Sequence, residues 1–403
     1  MFPALCGPAS TINQNTVLPV KQSLSELPAP SAEALAHSAR LCAQIAREIV
    51  AAGGSIGFER YMELALYAPG LGYYSAGARK VGAAGDFITA PELSPLFSQC
   101  MARQCRDVLT ALGGGGVLEL GAGSGIMAAD VLAELVRLDC LPGRYLILEV
   151  SADLRERQRE TLQQRVPELV SRVEWLDTLP TSFHGVVLAN EVLDALPVSR
   201  FRHESRGWTE YTVTVQAETF VWDTRPASTE LAATLAQLES ELASPLVPGY
   251  RSEICPRLPA FMASLADSLE RGALLFADYG YPRAAYYHAE RSMGTLMCHY
   301  RQRAHDDPFL YPGLQDITAH VDFTAVAEAG TVHDLELAGY TTQAHFLLAL
   351  GIADQARDLE SARQIKLLTL PEEMGERFKI IGFTKGIEPS LQGFALRDLS
   401  HGL

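Results

Sequence analysis

From Ser31 onward, apolar residues return close to the helical period of about 3.6, at Leu35, Leu41, Ile45 and Ile49, which predicts a helix stopped by Gly53-Gly54. A second helix is predicted over Ile56–Tyr67, ended by Pro69-Gly70, and a third from Pro95 to about Leu112. The pattern then changes. Val117–Leu120 is a short apolar run; it meets the glycine-dense turn Gly121-Ala122-Gly123-Ser124-Gly125, and a helical pattern follows from Ile126 through Val136. Arg144–Val150, Val173–Leu176, Gly185–Asn190 and Ala273–Gly280 are further strand-like runs, with a helix capped by Ser151 and reaching about Arg165. Continuous apolar strands alternating with helices point to a parallel sheet covered on both faces.

Two stretches break that order. Trp208–Val215 and Thr219–Trp222 alternate with period two, which predicts a β-hairpin introduced by Ser205-Arg206-Gly207. Helices from about Ser228 to Leu242 and from Pro256 to Arg271 follow it. Tyr281 to Asp316 is then expected as a long loop, too aromatic for disorder and of a length that compact domains keep for function. Beyond it, helices are expected over Thr318–Ala329, Thr341–Leu350 and Ser361–Leu368, a sixth strand over Val332–Leu337, and a late strand, Arg377–Lys385, antiparallel at the sheet edge. The organisation this implies is a loose arm (1–30), a helical lid region (31–112), a core (113–200 and 271–386), an inserted substrate-side subdomain (201–270) and a C-terminal tail (387–403).

Composition narrows the function classes. A chain of 403 residues, 48% hydrophobic and 20% charged, buries a globular core. A formal net charge of −15 argues against general nucleic-acid binding, which needs a basic face. Arg291, Arg301 and Arg303 lie close in sequence, either as solvated surface or facing substrate or cofactor. The seven cysteines are scattered without a C-x-x-C pair, so reduced thiols are expected and no metal site. No apolar run approaches the roughly 20 residues that span a membrane, so no membrane insertion is expected. The first residues lack the basic and apolar regions of a signal peptide, and no arginine precedes Arg40, from which a bacterial-type cytoplasmic location is expected.

The chemistry starts at the glycine turn. Strand, glycine turn and helix open a nucleotide-binding unit, because glycine accepts positive φ and has no Cβ to block a ligand. The spacing here is G-x-G-x-G after Glu119, with Ile126 where the dinucleotide fingerprint has its third glycine. That spacing favours S-adenosylmethionine over a pyrophosphate cofactor. Ligands of such sheets bind at the carboxyl ends of the strands. Four of those ends carry Gly121, Glu149 (an acceptor for ribose hydroxyls), Asp177 (for the adenine amino group) and Asn190-Glu191. The upstream loop Gly85–Glu92 either caps the next helix through Asp86 and Thr89 or folds over the ligand as a lid.

Five stretches in chain order carry a resemblance: Gly85-Asp86-Phe87-Ile88-Thr89-Ala90-Pro91-Glu92, the glycine turn, Asn190-Glu191-Val192-Leu193-Asp194-Ala195-Leu196-Pro197, Asp278-Tyr279-Gly280 and Gly294-Thr295-Leu296. Over about residues 40 to 385 the chain resembles the MidA-like S-adenosylmethionine (SAM) dependent methyltransferases, a family that includes the mitochondrial protein arginine methyltransferase assisting assembly of respiratory complex I. The resemblance implies an α/β, class I methyltransferase (Rossmann-like) fold with a seven-stranded sheet whose last strand is antiparallel. It implies SAM as cofactor, held by Gly85, Thr89, Glu119, Gly121, Gly123, Gly125, Glu149, Asp177 and Asn190. It also implies an arginine-bearing protein as substrate, the inserted hairpin and the long loop as its binding side, and room for a homodimer.

Glu191 and Asp194 then fall where the methyl group leaves the sulfonium, and two carboxylates there suit a guanidinium, which pairs bidentately with carboxylates. For Asp194 the plainer reading is a cap on a short helix ending at Pro197. For Glu191 it is weaker, because a buried strand end rarely holds an unpaired acid. His320 is a third catalytic candidate, as general base or substrate partner, against a passive histidine at a helix start capped by Thr318 and Asp322. Tyr279, Tyr281, Tyr286 and Tyr287 form either a cage for a cation or ordinary packing. A non-catalytic assembly factor with the same fold is the competing reading, and an NAD(P)-dependent oxidoreductase is weakened by Ile126.

Overall fold

The periodic run after Ser31 folds as helix α1 (Ala32–Ala51), with the Ser31 hydroxyl accepting from Ala34 N and with Leu41, Ile45 and Ile49 buried. The structure is a computed structural model describing residues 27–75, 89–388 and 390–403. Strand β1 (Ser55–Gly57) and helix α2 (Phe58–Tyr67) follow, then α3 (Ala90–Leu93) and α4 (Pro95–Leu112), which Gly113 ends in the left-handed region. The nucleotide-type unit is β2 (Gly116–Leu120), α5 (Ile126–Arg137), β3 (Tyr145–Leu148), α6 (Ala152–Arg165), β4 (Val173–Leu176) and β5 (Phe183–Asn190). Strands β6 (Ser199–Glu204), β7 (Gly207–Gln216) and β8 (Thr219–Pro226), helix α7 (Thr229–Glu241) and strand β9 (Arg251–Ile254) come next. Helix α8 (Leu258–Ser268) leads back into β10 (Leu269–Tyr281). After α9 (Arg283–Tyr286) stand β11 (Met297–Tyr300), β12 (Arg303–His305), β13 (Asp316–Thr318) and β14 (Val321–Asp322). Helix α10 (Phe323–Thr331), β15 (Glu336–Thr342), α11 (Gln343–Ala349), α12 (Leu359–Thr369) and β16 (Phe378–Lys385) complete the order.

This is an α/β fold around a mixed sheet. Its main path runs β15-β16-β10-β5-β2-β3-β4, with the two-residue β14 added beside β10. The pairs from β10 through β5, β2 and β3 to β4 are parallel, and β16 is antiparallel to both β10 and β15. The late strand is therefore antiparallel as expected but lies inside the sheet, not at its edge. Its Ile380, Ile381 and Phe383 are fully buried, so neighbours cover it on both sides, while β15 exposes Glu336 at the rim. The edge strand also starts later than its apolar pattern suggested: Val332 is 76% exposed and follows the end of α10.

Two helical layers bury the sheet. Side chains of α4, α5, α11 and α12 pack on one face, and those of α8 and α10 on the other. Leu391 and Phe394 join the first of these cores, so the chain after β16 packs down on the helices. The predicted hairpin is part of a larger antiparallel sheet, ordered β1-β7-β6-β9 with β8 beside β7. Ser205-Arg206 turns β6 into β7, and Ser55–Gly57, of which Ile56-Gly57 were expected to open a helix, pairs as a strand with Thr214–Thr212. A third core joins α1 and α2 to Val213 of this sheet and to Cys298 and Ile317. The expected loop 281–316 is largely structured, with β12-β11-β13 forming a small sheet. Thr318 closes β13 instead of opening a helix, and Asp322 caps α10 by accepting from Thr324 N and Ala325 N.

Candidate active site

Gly121, Gly123 and Gly125 all take positive φ (62°, 53° and 81°), which L side chains adopt only at a cost, so the turn after β2 requires them. A Cβ on Gly125 would lie 2.9 Å from the Gln158 Cα of α6. Gln158 explains that closeness. Its amide donates to Gly123 O at 3.1 Å and to the Glu149 carboxylate at 3.2 Å, while Trp175 Nε1 donates to its oxygen at 2.8 Å. Glu149 also accepts from Ser151 N at 2.9 Å, and burial holds its carboxyl above the usual range. The turn and the acid beside it are thus braced as one unit. A polar residue midway along a helix gave no sequence signal for this.

The other predicted cofactor residues take varied positions. Asp177 is 88% exposed and gripped by Arg155 at 2.6 Å. Glu119 is buried and accepts from the Tyr145 hydroxyl at 2.6 Å, with burial pushing its carboxyl up to about 7. Thr89 is buried at the start of α3, which is tied to the glycine turn by the Ser124 hydroxyl donating to the Glu92 carboxylate. Gly85 lies outside the described residues. Asn190, at the end of β5, donates to Glu191 at 3.0 Å and leaves its own carbonyl oxygen buried without a partner.

Across β5 and β10 the structure brings acids together. Glu191 sits at φ 53°, a conformation rare for a residue with a Cβ, fixed by its N–H donating to Ala277 O at 2.8 Å. Asp278 accepts from the backbone N–H groups of Val192, Leu193 and Asp194 at 3.2, 2.9 and 3.3 Å, which moulds the loop after β5. Tyr279 hydrogen-bonds the Asp194 carboxylate, whose Oδ1 has no partner. Tyr74 donates to Asp316 at 2.9 Å, and Tyr67 to Ala195 O at 2.9 Å. Burial, with the neighbouring Asp194 charge, raises Glu191 and Asp278 well above the carboxylate range, and burial brings Asp194 to about 6. Among the described residues no ion pair reaches any of these three; Lys379, opposite Asp278 in the β10–β16 register, turns its ammonium to backbone carbonyls instead. The stretch from Glu191 to Pro197 forms turns and no helix, so Asp194 has none to cap.

His320 borders this pocket before α10 begins. Its ring meets Tyr279 edge-on at 5.1 Å and stacks on Tyr281 at 5.4 Å, within 4° of parallel. Burial lowers it to about 4, so the ring is neutral near pH 7, and Nδ1 is buried without a partner. Leu193, Leu196, Ala319 and His320 also line a cavity of 930 Å³ that runs beneath α7. Asp278, Tyr279, Tyr67, Tyr74 and Asp316 were not among the predicted catalytic residues. Asp278 follows an apolar run as Asn190 does, a signal present but not assigned a role. The two tyrosines near α2 carried no such mark.

Residues 100–341, more than half the chain, match the family model described as "Putative S-adenosyl-L-methionine-dependent methyltransferase". The chain belongs to this family. The methyltransferase is 30% identical to the mouse mitochondrial protein arginine methyltransferase NDUFAF7 over 81% of its own length and 80% of that protein, and 29% identical to the zebrafish one over 83% and 84%. A crystal structure of a COG1565 superfamily member from Burkholderia thailandensis, bound to S-adenosyl-homocysteine, is 48% identical with a TM-score of 0.88, covering 94% of this chain and all of that one. A second crystal structure from the same organism is 47% identical with a TM-score of 0.86. These matches establish the MidA-like family and SAM as the methyltransferase's cofactor. The residues fit that cofactor: three left-handed glycines leave room at the turn, and the orphaned Asn190 carbonyl is an acceptor awaiting a donor.

Proposed function

We propose that the methyltransferase acts on an arginine side chain of a protein, with Gly121, Gly123, Gly125, Glu149 and Asn190 on the cofactor side and Glu191 and Asp194 on the acceptor side. The observation that carries this reading is the acid pocket: buried carboxylates at the end of β5 that no cation among the described residues neutralises. Alone, Glu191 and Asp278 avoid unpaired buried charge by keeping their protons, and a cation entering from outside would supply the countercharge that returns such acids to carboxylates. A guanidinium stays charged at any working pH and offers planar N–H pairs to two carboxylates. The names of the relatives, protein arginine methyltransferases, agree with that chemistry. A link to respiratory complex assembly comes from the family resemblance.

The cofactor supplies a methyl group on a sulfonium, an electrophile that needs only a correctly placed nucleophile. Glu191, fixed at its unusual φ, and Asp194, held by Tyr279, orient one guanidinium nitrogen toward the methyl carbon. Transfer adds a carbon to that nitrogen and obliges it to release one proton. Asp194 Oδ1, free of other partners, is placed to take it. His320, neutral at pH 7, walls the pocket and offers its unpartnered Nδ1 as a further acceptor. Incubation with isotopically methyl-labelled SAM and a cell lysate tests the proposal. Total hydrolysis of the labelled protein is expected to yield methylarginine; label confined to lysine, carboxyl esters or small molecules overturns the arginine assignment.

A further inference from the structure

Arg291 and Lys379 reach one aromatic ring from distant parts of the chain. The Arg291 guanidinium carbon lies 4.0 Å from the Tyr281 ring centroid, and Lys379 Nζ lies 5.9 Å from it. His320 stacks on that same ring and touches Tyr279, which in turn bonds Asp194. Through Tyr281 and His320 the two cations are joined by two ring contacts, of 5.4 and 5.1 Å, to the Tyr279 that bonds Asp194, and Lys379 also stands across from Asp278 in the β10–β16 register.

With 48 acidic side chains against 33 Lys and Arg, a cation in this chain readily finds a carboxylate. Arg283, Arg257 and Arg200 all do. Arg291 instead donates through Nη1 to the carbonyls of Ala285 and Tyr286, and Lys379 to those of Glu376 and Arg377. The Glu376 carboxylate attracts Lys379 without closing an ion pair. Carbonyl oxygens fix the direction of these groups, and among the described residues no carboxylate closes an ion pair with either. A guanidinium has five N–H donors and an ammonium three, so each keeps donors in reserve. Burial lowers Lys379 to about 8, which leaves it charged at neutral pH and short of a counter-ion. The glycine turn and Glu149 follow β2 and β3, whereas the patch sits at β10 and β16, with β5 between them in the sheet.

We infer that Arg291, Lys379 and the Tyr281 ring form a specificity subsite for an aspartate or glutamate of the protein substrate, a few residues from the arginine that is methylated. This deepens the arginine reading and rests on it. An extended chain advances about 3.3–3.6 Å per residue, so the ring path of 5.1 and 5.4 Å between Tyr279 and Tyr281 corresponds to roughly two to four positions. The substrate motif is then a charged pair, arginine into the acids and an acid onto the cations, and each end repels a substrate read in reverse.

The test is a peptide library with one fixed arginine and randomised flanks, captured by the full-length protein in the presence of S-adenosyl-homocysteine and read by mass spectrometry. Wild type is expected to enrich Asp and Glu two to four positions from the arginine. Arg291→Gln and Lys379→Met are expected to lose that enrichment, and Lys379→Arg to keep it. For a matched Glu and Gln peptide pair, Kd should differ about tenfold in wild type and converge in the two neutral variants. Captured peptides without an acidic bias, or a bias that survives both neutral variants, overturn the subsite alone. A loss of S-adenosyl-homocysteine affinity in those variants, seen by calorimetry, also overturns it by assigning the cations to the cofactor. Capture of no arginine peptide by wild type overturns the arginine reading and the subsite with it.

Discussion

Asp194 carries a pH signature that follows from its burial. Its carboxyl stands at about 6 in the folded chain against an ordinary value of about 3.9 when unfolded. The folded state therefore keeps its proton over a range where the unfolded state has released it. The stability this contributes is full below the unfolded value and is lost as pH rises through about 6. Ligand-free protein is expected to lose stability from Asp194 between about pH 4 and pH 6, and Asp194→Asn to flatten that part of the curve, as denaturant midpoints measured across this range would show. Methyl transfer runs the other way. If Asp194 works as an anion, the rate rises as pH passes about 6; a rate independent of pH from 5 to 8 contradicts that role.

The glycine turn and the clamp between α7 and α10 give predictions of different kinds. Gly125→Ala places a Cβ against the backbone of Gln158 at φ 81°, and is expected to destabilise the chain by about 1–2 kcal/mol and to weaken SAM binding, both readable in a thermal unfolding series with and without cofactor. Arg283 joins Glu241 of α7 to Asp322 and Glu328 of α10, and Arg283 and Asp322 are largely buried. Arg283→Met strands Asp322 and is expected to cost on the order of 3 kcal/mol, measured by chemical denaturation. The strands β2 to β5 and β10 were legible because a strand covered on both faces has to be apolar throughout. Strand β1 was not: three residues pair with β7, 155 to 159 positions on, and no local pattern records such a partner. The inner place of β16 was hidden for the same reason, since strand order is a property of distant contacts. In the site, Glu149, Asn190 and Glu191 stood out as polar residues ending apolar runs. Tyr67, Tyr74 and Gln158 did not, because they reach it from the N-terminal helical region and from α6.

Taken together, the molecule arranges its charges along the carboxyl end of one sheet. The proposed cofactor residues follow β2 and β3, the acid pocket lies at β5 and β10, and the two cations meet over Tyr281 at the end of β10. The inserted sheet and α7 wall the neighbouring cavity. Among the described residues no helix is long and apolar enough to cross a membrane. On the proposed function, the buried acids receive a guanidinium. The most direct measurement of that reading is the rate of methyl transfer to an arginine-bearing protein or peptide by wild type and by Glu191→Gln, both saturated with SAM, alongside calorimetric SAM affinity. A fall of roughly 100- to 1000-fold in rate is expected, with cofactor affinity unchanged. A Glu191→Gln variant that transfers within threefold of wild type, at equal SAM affinity, would contradict it.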